Sequence, residues 1–163
     1  MKALKRVSDA VNKTVSYVGI AIFVVLIIAC VTQVFFRFVL NNSLSWTEEL
    51  ARYCFVWMHL LGASLLIEGS EHATVTAVLD LLRGGVRKAV DVIIELVVFF
   101  DGTAMLYAGF QLAYTSRANL STAMGIPMWC INSAVAAGGL LLMFQAFVKI
   151  AVILLERKEG AEA

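Results

Sequence analysis

Four long runs of apolar residues, separated by short polar breaks, organise this chain. They cover about residues 14–38, 46–67, 86–114 and 127–155. At a rise of about 1.5 Å per residue each is long enough, as a helix, to cross about 30 Å of hydrocarbon. Between the second and third runs the pattern changes. Val75, Val78, Leu79 and Leu82 recur at i, i+3, i+4 and i+7, which predicts an amphipathic helix over about 73–83, too short to span and laid along the interface. Gly84-Gly85 ends it. The predicted fold class is therefore an all-α integral membrane protein, with four transmembrane helices plus a short interfacial helix in a single domain over 1–163.

The polar break between the first two runs is the most informative stretch, RFVLNNSLSWTEELARYCFVW from Arg37 to Trp57. Asn41-Asn42-Ser43 is turn chemistry, since Asn tolerates left-handed backbone and these side chains bond their own main chain. Ser45 stands three residues before Glu48, the capping-box spacing, so a helix is predicted to begin at Trp46. Glu48 and Glu49 suit the positive end of that helix, and Glu48 to Arg52 is an i,i+4 ion pair in the favourable order. Trp46, Leu50, Tyr53 and Trp57 share a face, predicting an aromatic ladder at headgroup level. Arg37, across the turn, is placed to bond one of the two carboxylates and lock the first two spans together. Further on, Pro127 fits the first turn of the fourth span, where its missing N–H costs nothing. Ser133, Ala134, Ala137 and Gly138 make a small-residue face on which another helix can approach closely.

Composition supports the same class. With 61% hydrophobic residues, 15% charged and a mean hydropathy of +0.86 over 163 residues, the chain is too apolar to hide its surface in one soluble core. A net charge of +1 with no basic patch argues against nucleic acid. The distribution of cations sets an orientation. Lys2, Lys5, Arg6, Lys13, Arg83, Arg87, Lys88, Lys149, Arg157 and Lys158 fall on one side, and Arg37, Arg52 and Arg117 on the other. The positive-inside rule then predicts both ends in the cytoplasm. The basic start resembles a signal peptide, but its apolar run is too long and lacks a small-residue cleavage site, so it reads as a retained first span. Cys30, Cys54 and Cys130 lie in apolar runs at unrelated spacings, which reads as small buried hydrophobes and not a disulfide or metal framework.

Four polar residues inside the spans carry the candidate chemistry: Gln33, His59, Glu95 and Asp101. A carboxylate at membrane depth costs about 3 kcal/mol on insertion scales unless something compensates it. Glu95 and Asp101 are therefore either a proton or cation relay or structural partners for polar groups on this or another subunit. His59 is a shuttle or an imidazole hydrogen-bonded inside the bundle. Glu48 and Glu49 invite a paired-carboxylate cation site, although capping and the helix dipole already account for both. His59 and His72 are about 20 Å apart at helical rise, too far to share a haem iron. No nucleophile has a base and an orienting acid beside it, and no phosphate-binding loop is present. The residues point to a protein that is not an enzyme and holds no cofactor.

Arg37-Phe38-Val39 leading into Asn42-Ser43, and then Trp46-Thr47-Glu48-Glu49-Leu50-Ala51-Arg52-Tyr53, resemble the small membrane subunit of tripartite ATP-independent periplasmic (TRAP) transporters, the DctQ-like proteins. Glu71-His72 with Val75, and Gly125-Ile126-Pro127, extend the resemblance through the chain. One departure is Thr76, where the family often has an Asp four residues after the His. The resemblance implies an accessory subunit in the bacterial inner membrane. It also implies two protein partners, a large multi-span TRAP membrane subunit and a periplasmic substrate-binding protein, besides membrane lipid. Organic-acid uptake driven by a cation gradient would follow, with sodium bound by the large subunit. The competing reading is an autonomous homo-oligomeric transporter or channel using Asp101, Glu95 and His59.

Overall fold

The computed structural model describes the backbone over residues 2–68 and 85–159 and the side chains over 6–66 and 90–153. Four long helices make up almost all of it: α1 (Lys2–Phe38), α2 (Ser45–Glu68), α3 (Gly85–Thr115) and α4 (Met128–Glu159). A 3-10 turn, Ser116–Ala118, and a loop join α3 to α4. The interfacial helix expected over about 73–83, and His72 with it, lie outside the described residues.

The basic arm read as a separate segment before residue 14 is helical and continuous with the first apolar run. Lys2 to Phe38 contains no proline and a single glycine, Gly19, and Ala, Leu, Lys and Arg are strong helix formers, so nothing stops the helix between the arm and the apolar run. Its end is a turn through one residue in left-handed backbone. Asn41 adopts left-handed backbone with φ 49°, and the Asn42 N–H reaches back to the Phe36 carbonyl at 3.0 Å, satisfying an otherwise orphaned acceptor. The helix α2 begins at Ser45, but the capping box is not formed. Instead the Thr47 hydroxyl, fully buried, donates to the Leu44 carbonyl at 2.7 Å, while Glu48 turns outward to Arg52.

Among the described residues three helical stretches are long and apolar enough to cross a bilayer: Arg6–Phe38, Val90–Ala118 and Met128–Ile153. The protein is a multi-pass, all-α membrane protein. Over its described residues α2 is more polar, carrying Glu48, Glu49, Arg52 and His59, although its 24 residues would reach about 36 Å.

Packing runs in a chain. The helix α1 lies on α2, α2 on α4, and α4 most extensively on α3. The α3–α4 crossing is a backbone-to-backbone approach through Gly102, Gly109, Ala136 and Gly139. The small face expected at Ser133, Ala134, Ala137 and Gly138 serves the other neighbour: a Cβ on Gly138 would meet the Leu60 Cβ of α2 at 3.0 Å, and Ala134 is buried. Beside a few aliphatic groups such as Leu61, Ile131 and Leu142 the interior holds small and polar residues, while large apolar side chains such as Phe23, Ile28, Phe100 and Phe147 point outward. That inversion is what a hydrocarbon solvent permits, because lipid tails solvate these groups as well as a core would.

Candidate functional site

The turn after α1 and the loop before α4 lie at one end of the bundle, where Glu49 of α2 is bound to the loop. The loop over 119–127 is a tight hairpin. Met128 N–H donates to the Asn119 carbonyl at 2.9 Å, Ser121 N–H to the Ile126 carbonyl at 2.9 Å, and Ile126 N–H to the Ser121 hydroxyl at 3.1 Å. Gly125 takes φ 66°, a conformation glycine adopts without steric cost. This leaves the N–H groups of Ala123 and Met124 at the tip without partners in the loop. Both donate to the Glu49 carboxylate, each at 2.9 Å from Oε2. The other oxygen, Oε1, accepts the Tyr53 hydroxyl one helical turn along, and that hydroxyl also lies 3.7 Å from Met128 Sδ. Successive backbone N–H groups form a natural anion cradle, here filled by a side chain of the protein itself.

The two adjacent acids are thus separated in role. Glu49 is 8% exposed and saturated with hydrogen-bond donors, whereas a cation site needs its oxygens free to face the metal. Glu48 is exposed and 3.4 Å from Arg52, a pair of the kind that contributes little in water. Arg37 bonds neither acid, which corrects the expected lock across the turn. Its guanidinium is exposed and sits 5.8 Å from the Phe38 ring centroid, because the helix runs on to Phe38 and carries Arg37 on its outer face. The loop's N–H groups take the place assigned to it. The expected aromatic ladder divides as well. Trp46 is exposed, Leu50 and Trp57 are half-buried, and Tyr53 turns inward to Glu49. Pro127 stands just before α4, and its carbonyl accepts the Cys130 N–H at 3.1 Å. A groove of about 540 Å³ between the turn and the loop is lined by Ser43, Leu44, Ser45, Trp46, Thr122 and Ala123.

Replacing Glu49 by alanine removes the acceptor shared by two loop amides. Hydrogen exchange at Ala123 and Met124 is expected to accelerate roughly tenfold or more, the scale of a charge-assisted bond, with amides at the α3–α4 crossing unchanged. Equal protection of Ala123 in the variant would show that the loop holds itself.

Within the spans the polar residues do not converge on one pathway. Glu95 is buried against Lys149 of α4, with Oε1 to Nζ at 2.9 Å, and its Oε2 has no hydrogen-bond partner. Asp101 is exposed on the outside of α3. His59 is also exposed, not inside the bundle, and stacks on Phe55 with centroids 5.8 Å apart. Gln33 is half-buried on α1. The cysteines are free, with Cys30 exposed and Cys54 and Cys130 half-buried.

A second polar cluster was missed by sequence reasoning. Ser8 and Asn12 of α1 are buried against Gln145 of α4. The Ser8 hydroxyl donates to Gln145 Oε1 at 3.1 Å, and Gln145 Nε2 donates to Asn12 Oδ1. Their i,i+4 spacing puts Ser8 and Asn12 on one helical face, but in a basic arm this looks like a solvated surface. Gln145 in turn stands one turn before Lys149, so the Ser8–Asn12 contact and the Glu95 ion pair use the same face of α4.

The family model described as "Tripartite ATP-independent periplasmic transporters, DctQ component" matches residues 26–156, from the second half of α1 almost to the end of α4. The Vibrio cholerae sialic acid TRAP transporter small permease protein SiaQ is 26% identical over 147 residues, covering 90% of this chain and 85% of that protein. The Haemophilus influenzae sialic acid TRAP transporter permease protein SiaT is 25% identical over 135 residues, which are 83% of this chain but 22% of that longer one. A putative TRAP transporter small permease protein of Haemophilus influenzae is 30% identical over 79 residues, 48% of this chain and 49% of that protein.

Proposed function

The chain belongs to the DctQ component family of tripartite ATP-independent periplasmic transporters and is a small subunit of such a transporter, and on that premise we propose that it braces a larger membrane subunit during organic-acid uptake. The observation that carries this reading is the match over 26–156. SiaT adds to it, because there a stretch similar to this one is part of a much longer permease chain. Sialic acids, named for two of the relatives, define the acidic substrate class to try first. The larger subunit carries the substrate and the coupling cation, sodium in this reading, and a periplasmic binding protein delivers the substrate.

In the proposed topology α2 is the remaining one of four spans, both chain ends are cytoplasmic, and the Asn41 turn and the 119–127 loop face the periplasm across the inner membrane. The distribution of Lys and Arg supports it. The geometry suits a brace: Glu49 fixes α2 to the α3–α4 loop at one end, and Gln145 fixes α1 to α4. The competing pathway through Asp101, Glu95 and His59 is not favoured, since Glu95 is engaged by Lys149 and the other two face outward on different helices.

Co-expression with a large TRAP membrane subunit of the same organism tests the reading. The two chains are expected to co-purify, and uptake of the acid into liposomes to need both together with the binding protein. Transport by this chain alone would overturn the proposal. Single cysteines at Asn42 and Asn119 are expected to react with an impermeant reagent from the periplasm and cysteines at Ala3 and Ala161 not to; the reverse pattern would invert the topology.

A further inference from the structure

Asp101 stands near the middle of α3 (Gly85–Thr115), within the apolar stretch Val90–Ala118. It is exposed, and among the described residues no hydrogen bond or ion pair reaches it. A carboxylate left to hydrocarbon at that depth is costly on insertion scales unless something compensates it. Glycines on the same helix show which way it faces. Gly102 and Gly109 turn to the backbone of α4, whereas Val97, Asp101, Ala104 and Ala108, at i, i+4, i+7 and i+11, form a stripe that is exposed throughout. Ala104 and Ala108 are small residues four apart, the spacing that lets a second helix come close in a membrane.

We propose that this stripe docks against a transmembrane helix of the larger membrane subunit, and that this helix presents a lysine or arginine to Asp101. The inference rests on the subunit reading above and adds which face is used and what it recognises. Charge decides the class of partner. Among its described residues a second copy of this chain, in the same orientation, offers exposed His59 near the middle of α2 but no unengaged lysine or arginine at the depth of Asp101. Arg6 and Lys13 lie in the first third of α1, Arg37 in its last turn, Arg52 in the first third of α2 and Arg117 beyond α3. Lys149, the remaining one, is engaged with Glu95. Lipid offers no positive group at mid-depth. A foreign helix carrying a cation does, and in a dehydrated interface such a pair sets partner and register together.

The test uses the co-expressed complex in native-lipid nanodiscs, with a photoreactive residue at Ala104 or Ala108 in separate variants. Both positions are expected to cross-link to the large subunit, within a segment holding Lys or Arg no more than one turn from the captured residue. Asp101→Lys is expected to lower the assembled complex roughly tenfold or more, and exchanging that partner cation for Glu is expected to restore it. Co-purification without a cross-link at either position, capture of a second copy of this chain, or a captured segment lacking a cation would overturn the inference and leave the subunit reading standing. So would Asp101→Leu assembling as well as the parent. Failure of the two chains to co-purify at all would overturn the subunit reading itself.

Discussion

Among the glycines whose surroundings are described, Gly139→Ala and Gly109→Ala are expected to cost the most folded protein. A Cβ on Gly139 would sit 2.5 Å from the Leu106 nitrogen and 2.7 Å from the Gly102 carbonyl oxygen, and one on Gly109 2.4 Å from the Ala136 nitrogen. These neighbours are backbone atoms of a regular helix, which cannot rotate away as the end of a side chain can. Relief requires α3 and α4 to separate along their length, losing the close contact that holds helices together where no hydrophobic force acts. Overpacking of this kind costs about 1–3 kcal/mol in a well-packed core and more where main chain must shift. The control is the same substitution elsewhere. Gly19 and Gly62 have nothing within 4 Å of an added Cβ, so alanine there is expected to be neutral or stabilising, by up to about 1 kcal/mol from helix propensity. Size-exclusion profiles and thermal midpoints in detergent measure both. Equal behaviour of Gly139→Ala and Gly62→Ala would show that the helices do not cross at this distance.

That pair of glycines also shows where sequence reading stops in a membrane protein. The existence of helices is written in the length of the apolar runs, and the Asn41-Asn42 turn in the tolerance of Asn for left-handed backbone. Which face packs inward is much less legible. In water, apolar periodicity marks the buried side, but in a bilayer the outward side is equally apolar, so Phe23 and Phe147 carry no sign of which way they point. Small residues are a better guide, and they did mark α4 as a close-packing helix. They could not say that Gly138 serves α2 while Gly139 serves α3. The polar joint was half-legible for a similar reason. Glu49 stands out as an acid at a helix start, and residue types alone suggest a cation as its partner. Its actual partners are main-chain N–H groups of a loop more than seventy residues on, which leave no mark in residue types. Ser8 and Asn12 were hidden because a polar arm beside a membrane looks solvated until a helix with Gln145 is laid across it.

The second large effect is expected at Lys149. Replacing it with methionine keeps most of the side-chain volume and leaves Glu95, 4% exposed, as a buried carboxylate whose other oxygen already lacks a partner. Removing one member of a buried pair costs about 3–5 kcal/mol, because the survivor keeps its desolvation penalty without its compensation. Lys149 is itself part-exposed, at 29% of its side chain, so the low end of that range is the expectation. Glu95→Leu together with Lys149→Met is expected to recover most of the loss, since two apolar groups of similar volume carry no unpaired charge. Thermal unfolding of the four members of the cycle gives the coupling, and uptake per assembled complex gives its meaning. A brace predicts that the double variant assembles and transports as the parent does. A relay predicts an assembled complex that no longer couples transport to the cation gradient, and that result would move Glu95 from the framework of the subunit into its mechanism.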